Sequence, residues 1–88
     1  MTMHELKISP EYFRVVANEF KKFELCQNDR DFQVGDLLHL REYNPLMGTY
    51  SGQEVLARVD YILHGGEFGL AEGFVCMSIT VLYVNNNF

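Results

Sequence analysis

The sequence predicts an α+β domain that is mainly β, a small β-barrel with one main helix near the N-terminus. Three observations carry the prediction. Apolar residues alternate with a period of two in Phe23/Leu25, Leu38/Leu40, Val55 to Leu63 and Val75 to Tyr83. Phe13, Val16, Ala17 and Phe20 instead have the spacing of one buried helical face. The chain has 88 residues, 48% of them hydrophobic and 14% aromatic. A domain of this size buries about 60–70% of the surface its unfolded chain exposes, and this composition can supply its core. One domain is expected over residues 1–84, with 85–88 as a frayed tail.

Each element has a local reason. Met3 to Ile8 reads as a short opening strand. Ser9-Pro10-Glu11 then sets a helix start: a hydroxyl at the N-cap, Pro at the first helical position and an acid in the first turn. The helix runs from Pro10 to about Phe20, because period-two alternation begins at Lys22. Lys22 to Cys26 is a strand with Phe23 and Leu25 on its apolar face. The polar run Asn28-Asp29-Arg30-Asp31 follows, and Gly35-Asp36 makes a turn. Leu37 to Tyr43 is a strand with His39 and Arg41 facing away from Leu38 and Leu40. Asn44-Pro45 through Gly48 to Gly52 is hairpin chemistry. Val55, Ala57, Val59, Tyr61 and Leu63 form a long strand, and Val75, Met77, Ile79, Val81 and Tyr83 the last. Between these two, H-G-G-E-F-G-L-A-E-G reads as a flexible connector or as backbone approaching a ligand. Phe13, Val16, Phe20, Phe23, Leu25, Leu38 and Leu40 are expected to be buried.

The charges limit the chemistry. A net charge of −5 argues against a strong nonspecific nucleic-acid binder, which needs clustered Lys and Arg to neutralise phosphates. Six of the seven basic residues lie in residues 1–41, so an anion-binding face comes from that half. Residues 42–88 hold only Arg58 and Arg41's neighbour Glu42 begins their five acids. No apolar run approaches the ~20 residues of a membrane span, and no basic-then-apolar leader opens the sequence. Cys26 and Cys76, fifty positions apart, read as reduced thiols, which implies a cytoplasmic protein. With His4, His39 and His64 equally scattered, no metal-ligand spacing exists, and no metal or cofactor is expected.

Several blocks together resemble a known family: H-E-L-K-I-x-P-E-Y-F, K-K-F-E-L-x-x-N-D-R-D-F-Q-V-G-D, L-R-E-Y-N-P, T-Y-S-G-Q and I-L-H-G-G-E-F-G-L. They are similar to the DUF3850-type branch of the bacterial and phage ASCH domains, over His4 to about Ile79. The resemblance implies the PUA-like β-barrel fold. It also implies RNA or nucleotide binding in a cleft beside the helix-to-strand turn. By position, Lys21, Lys22, Glu24, Asn28, Asp29 and Arg30 would line or flank that cleft, with His4 and Lys7 nearby. Two departures stand out. Members of that branch end the helix with Gly, where this chain has Asn18-Glu19-Phe20. They carry Arg after F-E-L, where this chain has Cys26, losing a planar, permanently charged fork suited to phosphate.

Two alternatives accompany the binding module. Some small ASCH proteins are hydrolases, acetylcytidine amidohydrolases or endoribonucleases. The resemblance sets Lys21 opposite the amidohydrolase lysine and Glu24 opposite its threonine, making these two the catalytic candidates. The later catalytic Glu falls in a segment absent here, with Glu67 and Glu72 as the substitutes on offer. The second alternative is a protein-interaction module that uses the acidic second half. Tyr12, Tyr43, Tyr50, Tyr61 and Phe68 could stack bases or fill the core. The expected ligand is RNA or a nucleotide, bound weakly. No membrane partner is expected, and oligomeric state is left open.

Overall fold

The computed structural model describes residues 1–86, in the order β1 (Met3–Ile8), α1 (Pro10–Ala17), β2 (Phe23–Gln27), β3 (Leu37–Asn44), β4 (Thr49–His64), β5 (Phe74–Asn85). The strands form one five-stranded sheet in the order β1-β3-β4-β5-β2. Only β1 and β3 run parallel; the other neighbours are antiparallel. The sheet curls into a half-barrel, leaving β1 and β2 as its two edges. Helix α1 packs on β3, β4 and β5 and brings Phe13 and Val16 into the core.

The inner face follows the pleat. His4 and Ile8 of β1, Leu38 and Leu40 of β3, Val55, Ala57 and Val59 of β4, and Val75, Met77 and Ile79 of β5 are all buried. Phe32 joins them from the loop after β2. Thus Phe13, Val16, Leu38 and Leu40 lie where the pattern predicts.

Phe20, Phe23 and Leu25 do not, being 82%, 45% and 52% exposed. For β2 the reason is register. Glu24 pairs with Met77 and Cys26 with Val75, both buried, so Phe23 and Leu25 point the other way. A shift of one residue exchanges the two faces of a strand. For Phe20 the reason is where the helix stops. The N–H of Glu19 donates to Val16 O and that of Phe20 to Val15 O, a Schellman turn that closes the helix after Ala17. Glu19 occupies its left-handed position, at φ 62°.

Two bulges correct the long strands. Register shifts between Val59 and Tyr61, so Asp60 is the extra residue and Ile62 takes the inward position meant for Tyr61. Opposite Leu56 and Ala57, β5 carries its own extra residue, Leu82, which turns Tyr83 outward and Val84 inward. Asn85 still pairs with Glu54, so the tail expected from residue 85 is strand there; Asn87 and Phe88 lie outside the described residues. Among the described residues, no helix is long and apolar enough to cross a membrane.

Candidate functional site

A cleft of about 400 Å³ lies in the seam between the two sheet edges. The end of β1 contributes Lys7 and Ile8, the helix start contributes Ser9 and Tyr12, and Phe23 and Leu25 of β2 form the facing wall with Glu24. Lys21, in the link between helix and β2, lies across the cleft. The exposure of Phe23 and Leu25 is therefore lining, not misfit.

Lys21 is the organising side chain. Its Nζ donates to Glu24 Oε1 and to the carbonyl of Phe23, both at 2.9 Å. It lies 4.8 Å from the centre of the Phe23 ring and 5.5 Å from that of Tyr12. The two charged side chains are largely withdrawn from water, at 18% and 15% exposure. An ammonium has three donors, so one remains for a ligand, and the carboxylate keeps acceptor capacity beside it. The Schellman turn sets this arrangement, since Lys21 N–H also donates to Val15 O. Ser9 Oγ, at the cleft wall, is buried without a protein partner among the described residues. Such a hydroxyl is completed by water or by a ligand.

The other expected site residues go elsewhere. Lys22 lies beside Glu19, Ile79 and Thr80 at a smaller hollow on the other side of Lys21, its carbonyl accepting from Ile79 N–H. Asn28 Oδ1 accepts from Phe32 N–H, and Asn28 N–H donates to Gly73 O. Arg30 donates to the carbonyl of Glu5, tying the loop to the β1 edge, and stands 4.0 Å from Asp29. Within the N-D-R-D run, Asn28 thus holds the turn that delivers Phe32 to the core and Arg30 reaches β1, while Asp29 and Asp31 stay exposed. His4 is buried, its Nε2 2.8 Å from Asp36 Oδ2 and its ring edge-on to Phe32. The structure therefore brings Lys7, Lys21 and Glu24 together and leaves His4, Lys22, Asn28, Asp29 and Arg30 outside the cleft lining.

Two titrating groups show the electrostatics. Burial alone would raise the Asp36 carboxyl, but hydrogen bonds from His4 and from Gln33 and Thr2 N–H outweigh it and hold it below the ordinary value of 3.8. Burial pushes the Cys26 thiol up from 9.0 to about 11, with Glu24 and Asp29 adding to the rise. Cys26 packs against the core on the inner face, so its thiol stays in the protonated, less nucleophilic form. Among the described residues, no three His, Cys, Asp or Glu side chains gather to hold a metal ion.

Sequence reading missed Ser9, Phe23 and Leu25 as lining, and gave Tyr12 only among several stacking candidates. The signal that could have found them is the helix end. Stopping at Ala17 frees Lys21 to reach the strand beyond it.

The sequence pattern of the family described as Domain of unknown function (DUF3850) matches residues 3–79. The chain belongs to this family. It is also similar to an uncharacterized 12.9 kDa protein in the GpA 3′ region of Escherichia phage P2, with 35% identity over 57 residues. That alignment covers 65% of this chain and 50% of the phage protein, so the chain spans about half the relative's length. The DUF3850 match includes all the cleft residues, from Lys7 to Leu25.

Proposed function

We propose that the chain is a PUA-like, ASCH-type module that binds a nucleotide of single-stranded RNA in the seam cleft. The observation that carries this is Lys21, held by Glu24 and the Phe23 carbonyl between two aromatic rings. A remaining donor beside a carboxylate oxygen complements the edge of a nucleobase, which pairs acceptors with N–H donors. Aromatic rings beside that pair suit the base's flat face. Glu24 repels a phosphate at the same spot, so the base enters the cleft and the phosphate lies toward Lys7. Among the described residues, no carboxylate lies within ion-pair distance of Lys7 Nζ. The resemblance to RNA-binding ASCH domains supports the same reading.

With few cations in reach, binding is micromolar or weaker with a shallow salt dependence, about 0.7 per phosphate contact in log–log terms. Titration of short single-stranded RNA at low salt tests this. Lys21→Ala weakens binding, while Arg58→Ala does not, because Arg58 is engaged by Asp60 on the outer face of β4. Equal losses in both variants indicate general charge attraction and sink the cleft reading.

The 2.9 Å contact between Lys21 and Glu24 also favours a second reading, a hydrolase acting on an acylated nucleoside. Its test is turnover of N4-acetylcytidine by the wild type and by Lys21→Ala. We expect none: Lys21 is an ammonium paired with Glu24, and an ammonium has no lone pair with which to attack.

A further inference from the structure

The cleft does not end at Lys7. On the outer face, Lys7 of β1 stands in register with Arg41 of β3, and two residues along β3 Tyr43 pairs across the hairpin with Tyr50 of β4. Lys7 Nζ lies 4.4 Å from the centre of the Tyr43 ring, and the Arg41 guanidinium 3.9 Å from that of Tyr50. The two rings meet edge-to-face with centroids 5.0 Å apart. Lys7 thus lines the cleft and caps this second cluster at once.

Cross-strand packing accounts for a tyrosine pair at a hairpin. It does not call for a cation on each ring. This chain has only seven basic residues and a net charge of −5, yet two of the seven sit on this pair and a third, Lys21, is in the adjoining cleft. Glu5 accepts from Arg41 Nη1 at 3.3 Å, which leaves most of the five guanidinium donors available. His39, between Glu5 and Glu54, closes the cluster on its far side. Cations interleaved with rings on a surface otherwise dominated by acids form a complementary surface for a polyanion carrying flat bases.

We infer that Lys7, Arg41, Tyr43 and Tyr50 form a second subsite, which holds the next nucleotides of a single-stranded RNA whose first base occupies the cleft. The inference rests on the proposed nucleotide binding and adds direction and length. The strand passes from Lys21 over Lys7, whose ammonium takes the linking phosphate, to the tyrosine pair. The ligand is therefore an oligonucleotide; a lone nucleotide fills only half of the site.

The test is binding of oligouridylates and oligoadenylates of one, two, three and six nucleotides to the full chain at low salt, with folding of each variant checked by circular dichroism. Affinity should rise at least tenfold, by order of magnitude, between one and three nucleotides, as added stacking implies. Tyr50→Ala should remove most of that increment and leave mononucleotide binding unchanged, while Tyr50→Phe, which keeps the ring, should retain it. Arg41→Ala should reduce the salt slope for the longer ligands by about 0.7. If Lys21→Ala weakens every length while Tyr50→Ala weakens none, the second subsite is wrong and the cleft stands. Equal loss at all lengths in Tyr50→Ala means the ring only supports the fold, which also overturns the subsite. If the wild type binds no length, both readings fall.

Discussion

Two polar clusters flank β2, and they do opposite things. The loop after it, Asn28 to Asp36, commits polar groups to the fold: Asn28 caps Phe32, exposed Arg30 ties the loop to the β1 edge, and buried Asp36 takes His4 and two backbone N–H groups. At the start of β2, Lys21 of the preceding link and Glu24 of the strand stand on the wall of a cleft with bonding capacity to spare. In sequence the two look alike, as runs of charge beside an apolar strand. The difference lies in satisfaction. A polar group whose partners are all internal holds the fold, and one left with an unused donor in a lined cavity can hold a ligand.

The largest test removes the best satisfied group. Asp36→Ala leaves buried His4 and the Gln33 and Thr2 N–H groups without their acceptor, which should cost about 3 kcal/mol. Urea denaturation reads that loss, while nucleotide affinity of the folded fraction stays level. A large loss of affinity with little loss of stability would reverse the roles assigned to the two clusters.

Acid sharpens the same contrast. The folded Asp36 carboxyl lies below its ordinary value, so its stabilisation is complete at neutral pH and is lost as pH falls from about 3.8 through the folded value. The wild-type urea midpoint should therefore fall more steeply below pH 4 than that of Asp36→Asn, which has no carboxylate to protonate. Parallel acid limbs in the two proteins would show that Asp36 does not carry the effect.

On the binding side, the structure separates two adjacent lysines. Lys21→Ala should weaken RNA binding about tenfold, roughly 1.4 kcal/mol, with a small change in thermal midpoint. Lys22→Ala, at the neighbouring hollow, should weaken it no more than about twofold, through long-range charge alone. Similar losses would mean that the cleft geometry is irrelevant.

The smallest effect is at the helix end that presents Lys21. Glu19 holds a left-handed conformation that Gly adopts freely, so Glu19→Gly should stabilise the protein by about 0.5–1 kcal/mol. Affinity should stay the same, because the backbone already has that shape. Improved affinity would instead mean that strain at Glu19 displaces Lys21 in the unbound protein.

Much of the fold was legible locally. Ser9-Pro10-Glu11 places the helix start, and the opening strand matches from Met3 to Ile8. The candidate site was legible in part: Lys7, Lys21 and Glu24 were named from sequence, but grouped with Arg30, Asn28 and His4, which bond to other parts of the fold. Nothing local distinguishes an Arg that will meet a distant carbonyl from one that will face solvent. Glu5 and Arg30 are 25 positions apart, and only closure of the half-barrel brings them together.

By itself, the sequence determined the kinds of element, their order and their approximate bounds, because dihedral preference, capping and apolar period act within a few residues. The tertiary structure decided which face of β2 turns inward, where β4 and β5 change phase, and that β1 and β2 end as facing edges with a cleft between them. A period of two fixes a spacing but not its sign. The sign comes from the register against β5 and from bulges at Asp60 and Leu82, and these depend on partners far away in the chain.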